Sequence, residues 1–408
     1  MDRVIDHYIQ HYAEPEALSS SLTRQPALTQ KQRYKNVLVI PAFAESEHFL
    51  AEVVSRCSDA QLLCIVVANA PAEPVATKQQ IQSTLKLLNS LKHSEATPLL
   101  MVDRATPGVR IPHKQGVGLA RKVGTDIALR LYREGQITSP WLYQTDADAR
   151  LPEDYFNAIS TQRPGTIVFS HRHISADPGL AHAAKLYDTH MQYYVHALAV
   201  QGSPYAYPTL GSTIAVHAVN YAKARGFPKR NAGEDFHLLN KLNKLEAITW
   251  LKQPIIEVQA RRSTRVVFGT GPALQKIASI LEKDPSGESY LSYDYRCFEL
   301  LGKALNYLAL CSLDRQFSSS APTDDPDQVR ISNILRQLGI HKVLNDKLYQ
   351  QPNTAQRQRL VNDWFDGLKT LRFVHLARSY FPNTSLRQTL TKLPPSLRNE
   401  ITFQAGIV

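Results

Sequence analysis

Continuous apolar runs alternate along this chain with stretches whose apolar positions recur every three or four residues. Asn36-Val37-Leu38-Val39-Ile40-Pro41 reads as a strand buried on both faces and halted by proline. Phe49, Leu50, Val53 and Val54 mark a helical stretch, and 61–68 reads as a second strand, ending at Asn69-Ala70-Pro71. A helix over 79–91 and a short strand over 98–102 follow. Such alternation predicts a mostly parallel α/β sheet flanked by helices. The long polar loop 106–116 leads into a helix whose Leu119, Val123, Ile127 and Leu131 recur every fourth position. Long structured loops of this kind are disproportionately functional. The strand 141–145 breaks at Asp146-Ala147-Asp148. Beyond it the pattern predicts a strand over 166–170, a helix over about 180–200, a loop over 202–211 and a helix near 219–225. A helix over 234–245 and a strand over 255–258 complete this part. From Pro272 onward the spacing is almost wholly helical, interrupted by a linker-like 318–328.

The expected organisation is a polar leader over 1–34, an α/β domain over 35–272 and a helical region over 273–408. A length of 408 residues with 43% apolar content suffices for one large and one smaller core, and excludes low-complexity disorder. Four cysteines, at 57, 64, 297 and 311, exclude a disulfide-built scaffold, and Cys64 inside an apolar run reads as an inert buried thiol. No run of ~18 apolar residues is present, so no membrane span is expected. The first residues lack the apolar core of a signal peptide, so the expected compartment is the cytoplasm. The net charge is +11, and residues 331–408 hold 11 Lys and Arg against 4 Asp and Glu. That C-terminal excess suits peripheral attachment to the anionic inner face of a membrane, and equally suits a plain solvated helical surface. No basic-aromatic module is visible, so nucleic acid is not an expected partner.

Two carboxylates one residue apart, Asp146 and Asp148, stand at the C-terminal end of a strand, where α/β sheets bind ligands. Hard oxygen ligands of this kind suit Mg²⁺ or Mn²⁺ carrying a diphosphate; a solvated acidic turn before Pro152 has the same pattern. Glu45, after the first strand, could bond a base edge or ribose, or simply favour a helix N-terminus. Gly233-Glu234-Asp235 opens a helix, where a carboxylate either caps or serves as a general base. Arg262 and Arg265, after the strand at 255–258, could neutralise a leaving diphosphate or remain surface charge. Gly116-Val117-Gly118 with Gly124 resembles a dinucleotide fingerprint, but Arg121 stands where the third glycine belongs. His171-Arg172-His173 could line an acceptor site. Tyr187, Tyr193, Tyr194, Tyr205 and Tyr207 could stack on a sugar or lipid, though helix packing explains them more simply.

Six segments in order carry a resemblance: Ile40-Pro41-Ala42-Phe43-Ala44-Glu45, then residues 118–124, then Asp146-Ala147-Asp148 with Leu151-Pro152, then Thr209-Leu210-Gly211-Ser212, Gly226-Phe227-Pro228 and Gly233-Glu234-Asp235. Over about 36–270 the chain resembles family-2 glycosyltransferases. The resemblance implies a GT-A fold, in which a nucleotide-binding α/β half joins an acceptor-binding half. It implies a nucleoside-diphosphate sugar as donor and, usually, inversion at the anomeric carbon. Carried over residue by residue, Asp146 and Asp148 match the metal and diphosphate motif. Pro41, Ala42, Glu45, Asn69, Lys114 and Arg121 fall on the donor side, Asp235 matches the catalytic base with Glu234 beside it, and Gly211 and Ser212 match the loop facing sugar and acceptor. Arg262 and Arg265 fall in the acceptor or leaving-group region. Ala44 departs from the usual Asn, and Asn69 from the Asp that usually holds the base. The Gln-x-x-Arg-Trp motif of processive synthases is absent, so transfer of a single sugar to an acceptor hydroxyl is expected. A retaining transferase and a non-catalytic protein that keeps the fold remain alternatives. A nucleotidyltransferase ranks below both, because Pro41-Ala42-Phe43-Ala44-Glu45 stands where its glycine-rich loop belongs.

Overall fold

Apolar runs too long to be covered on one face alone must lie in the middle of a layered sheet, and the computed structural model places them there. The structure describes residues 2–29, 32–57, 61–73, 76–91, 98–161, 163–261, 269–313, 324–343, 350–351 and 353–404. Its main sheet has eight strands: β1 Asn36–Ala42, β2 Leu62–Asn69, β3 Leu99–Arg104, β4 Trp141–Gln144, β5 Ala149–Arg150, β6 Thr166–Ile174, β7 Ile214–His217 and β8 Thr249–Gln259. Their order is β3-β2-β1-β4-β7-β6-β8-β5. Strands β3, β2, β1 and β4 are mutually parallel, and every residue of β1 and β4 is buried. β7 runs antiparallel to both its neighbours, β6 pairs parallel with β8, and β5 pairs antiparallel with β8. The sheet is therefore mostly parallel α/β, as the alternation predicts.

Four strands of the main sheet differ from expectation, and β5 is a two-residue strand where none is expected. β7 lies where no strand is expected, because three apolar residues and a histidine between a loop and a helix carry too little periodicity. β6 and β8 run longer than expected: 171–173 pair with 256–258, and 249–251 pair with 167–169 ahead of a bulge that leaves 252–254 outside the ladder.

The helix Gly116–Arg133 lies against this sheet with Gly124 at closest approach. A Cβ on Gly124 would stand 2.5 Å from Val39 Cγ1 and 3.2 Å from Val67 Cγ2, so a larger residue would force the helix off the strands. The stretch expected as a leader folds onto the same helix. The helix Asp2–His11 buries Ile5 and Tyr8; Tyr8 and Tyr221 hydroxyls donate to Asp126 Oδ1 at 2.6 and 2.7 Å. Lys122 Nζ and the Glu14 amide donate to Asp126 Oδ2 at 2.7 and 2.8 Å, which leaves the buried carboxylate fully partnered.

Residues 1–177 with 207–273 form one compact unit, and 178–206 with 274–408 another. The second unit is helical, with Pro178–Val200, Tyr295–Leu313, Pro326–Gln337, Thr354–Trp364 and Gly367–Ala377 around a core that includes Tyr193, Phe298, Leu301, Ile334 and Phe373. A short antiparallel ribbon, β9 Leu291–Ser292 with β10 Thr384–Ser385, belongs to it. Buried Arg357 donates to the carbonyls of Ser312 and Leu313, closing the end of Tyr295–Leu313. Among the described residues no helix is long and apolar enough to cross a membrane, and all four cysteines are buried and free.

Candidate functional site

Parallel strands deliver their C-terminal ends to one edge, and the loops that follow them build a cavity of about 590 Å³ there. Pro41 at the end of β1, Asn69 at the end of β2, and Asp146 and Asp148 after β4 all line it, together with Glu45 and Lys114. The long loop 106–116 supplies the opposite wall. It is anchored at its start by Asp103 Oδ1, which accepts from the amides of Ala105 and Thr106. It then folds back over β2, where the Ile111 amide donates to Ala70 O at 2.9 Å. The loop ends at the N-terminus of the 18-residue helix Gly116–Arg133, whose first residues Gly116 and Val117 line the cavity at the positive end of the helix dipole. Lys114 and Ala44 hold positive φ, 61° and 53°, a left-handed backbone that costs a non-glycine residue about 1 kcal/mol.

Each carboxylate of the Asp146-Ala147-Asp148 turn is held by its own arginine. Arg121, fully buried on the first turns of the helix, donates from Nη2 to Asp146 Oδ1 at 2.5 Å and from Nε to Glu234 Oε1 at 3.0 Å. Gly211 lies against this guanidinium, and a Cβ there would come within 2.7 Å of Arg121 Cζ. Arg261, just past β8, donates from Nη2 and Nε to Asp148 Oδ2 at 2.5 and 3.1 Å. The same guanidinium donates to both Glu45 oxygens, at 2.7 and 3.2 Å. The turn is stitched to β8 by the Gln259 amide, which donates to Asp148 O at 2.8 Å. Burial pushes the Asp148 carboxyl above its ordinary range, with Asp146 adding to the rise and Arg261 opposing it.

Asp235 follows Gly233, whose φ of 70° turns the chain into the helix Glu234–Asn243. Its Oδ1 accepts from the Phe236 amide at 2.7 Å. Burial, reinforced by the charge of Glu234, pushes its carboxyl up to about 7, where a carboxylate is poised to exchange a proton near neutrality.

Most of the sequence-derived set thus converges. Pro41, Glu45, Asn69, Lys114, Asp146 and Asp148 line the cavity, and Arg121 and Glu234 support it from behind. Ala42 and Ser212 are wholly buried, and Gly211 acts through Arg121. Arg262 and Arg265 lie outside the described residues. Arg261, the first cation of the same basic run, is the one that reaches the cavity, although the sequence singles out Arg262 and Arg265. Only its place at the end of a strand could have singled it out within a run of basic residues. His237 Nε2 pairs with Arg230 Nη1 at 2.9 Å. The glycines of the dinucleotide-like pattern serve packing instead. Gly118 donates its amide to Arg230 O at 3.0 Å, and a Cβ on Gly118 would lie 2.7 Å from Arg230 N.

Asp146 and Asp148 offer hard carboxylate oxygens, the ligand type that divalent cations such as Mg²⁺ take. Glu45, Asp146, Asp148 and Glu234 are bonded to the two guanidiniums of Arg121 and Arg261, and Asp235 feels the charge of Arg121. No protein-family model matches the chain, and no curated protein matches it.

Proposed function

We propose that the chain is a glycosyltransferase of the GT-A type, which moves one sugar from a nucleoside-diphosphate donor to an acceptor hydroxyl with inversion. The observation that carries the reading is the convergence of Glu45, Asp146 and Asp148 with an 18-residue helix N-terminus around one cavity at the C-terminal strand ends. The parallel half β3-β2-β1-β4, followed by reversed β7, supports a nucleotide-binding half continued by a second half. Pro41, Pro71 and Ile111 offer flat apolar surface for a base, and buried Asn69 Oδ1, without a hydrogen-bond partner among the described residues, would accept an N–H from it.

Breaking the bond between the anomeric carbon and phosphate oxygen places negative charge on the leaving diphosphate. Mg²⁺ or Mn²⁺ held by Asp146 and Asp148 would supply charge to offset it. The helix N-terminus and Lys114 act in the same sense. Arg121 fixes Asp146 and Glu234, so both ends of the donor site are set by one guanidinium. Asp235 takes the acceptor's proton as its oxygen attacks the anomeric carbon. Glu234, tied to Arg121, positions Asp235 and keeps its carboxyl basic.

Slow hydrolysis of a panel of nucleoside-diphosphate sugars, with Mn²⁺ or Mg²⁺ present, tests the reading. Release of nucleoside diphosphate from one donor, abolished in Asp148→Ala, is the expected result. Hydrolysis of no donor, together with no binding of any nucleoside diphosphate, would overturn it.

A further inference from the structure

Arg261 makes a contact that the proposed reaction does not need in this form. Its guanidinium forks between Glu45 and Asp148, one the base- or ribose-side carboxylate and the other the metal-side one. Both carboxylates are largely shielded, with side chains 9% and 21% exposed, whereas the Arg261 side chain is 36% exposed and lines the cavity. The most accessible of the three is therefore the one that neutralises the other two. A divalent ion at Asp148 would stand within a few ångströms of this fixed positive charge, and at short range in a partly buried site the repulsion is severe. A diphosphate, in contrast, offers a guanidinium a better bidentate partner than a carboxylate already claimed by a metal.

Resting on the donor-site reading above, we propose that Arg261 is an exchangeable counter-ion: it holds Glu45 and Asp148 together in the empty site, and passes to the donor's diphosphate when the divalent ion takes Asp148. Metal alone then meets an occupied ligand, and diphosphate alone meets an arginine already engaged. Each relieves the obstacle to the other, so the two bind cooperatively, and the coupling is reciprocal. The exchange also frees Glu45 for the nucleoside at the moment the donor arrives. Arg121 has no such freedom, being wholly buried between Asp146 and Glu234. The two arginines thus divide the work: one is a permanent scaffold and the other changes partners.

The test titrates Mn²⁺, followed by loss of the free-ion paramagnetic resonance signal, into the full-length wild type, Arg261→Gln and Arg261→Lys. Each titration is repeated with UDP, GDP, CDP and dTDP and with the corresponding monophosphates. Arg261→Gln is expected to bind Mn²⁺ alone about tenfold more tightly than wild type, and to lose about tenfold of the preference for diphosphate over monophosphate. Arg261→Lys keeps the charge without the fork and is expected to fall between them on both readings. Melting curves on the same samples establish that the variants are folded, and a half-buried arginine past the end of β8 removes no apolar core. An Arg261→Gln protein that binds Mn²⁺ no more tightly, or keeps its diphosphate preference, overturns the exchange and leaves the donor site standing. A wild type that binds neither Mn²⁺ nor any nucleotide overturns both.

Discussion

Asp235 is the residue whose protonation would connect stability with the proposed transfer. Its folded-state carboxyl is raised to about 7 against an unfolded value near 3.8, so the folded protein holds a proton that the unfolded chain has released. Stability linked to Asp235 is therefore greatest at low pH and is lost as pH rises through about 7. Asp235→Asn, which cannot ionise, is expected to melt higher than wild type at pH 8. The gain should be on the order of 2 kcal/mol after allowing for partial solvent access, and smaller at pH 5, as calorimetry at both pH values will show. In assays the same substitution is expected to lower the transfer rate about 10²–10⁴-fold while nucleotide affinity stays within about twofold. Unchanged turnover would remove Asp235 as the base and favour a retaining route. The residues of this site were legible in the sequence where a strand end exposed them, as with Glu45, Asn69, Asp146 and Asp148. Arg261 was not, because nothing in a run of basic residues says which one reaches back across 216 positions to Glu45.

Among the elements, the helix Gly116–Arg133 connects the cavity with the core. Its start faces the cavity, Arg121 holds the acidic turn, Gly118 admits the 228–230 backbone and Gly124 admits the sheet. Gly118→Ala is expected to displace 228–230, because the added carbon meets backbone atoms that cannot rotate away. The expected cost is about 1–3 kcal/mol, read as a melting temperature lower by about 2–6 °C. Since that segment leads into Gly233 and Asp235, turnover should fall further than stability alone explains. Helical periodicity and buried strand runs made most of these elements readable. The antiparallel β7 and the tails of β6 and β8 were not, because their pairing is decided by distant partners rather than by local pattern.

At the scale of the whole molecule, the chain divides its labour between a sheet unit that carries every residue of the candidate site and a helical unit that carries none of them. The core of the helical unit draws on residues from Tyr193 to Ile401, so its C-terminal half is not a detachable basic tail. Truncation after residue 330 would strip Ile334, Phe365, Phe373 and Val374 from Phe298 and Leu301. The shortened chain is expected to lose the cooperative melting of this unit and to aggregate, measured by calorimetry and light scattering. Its excess of basic residues is therefore better tested by point substitution on the exposed surface. Arg359 and Arg387, with side chains 76% and 83% exposed, are the natural choices.

Central to the proposed function is a nucleoside diphosphate bound in the cavity at the strand ends with a divalent ion on Asp148. That binding is tested most directly by melting the full-length protein with each nucleoside diphosphate, with and without Mn²⁺ or Mg²⁺, beside Asp148→Ala. A nucleotide at about 100 times its Kd should add roughly 2.7 kcal/mol of stability. A metal-dependent rise in melting temperature for one nucleotide, lost in Asp148→Ala, is the expected result and names the base. No rise for any nucleotide, or an equal rise in the variant, would contradict the assignment of this site.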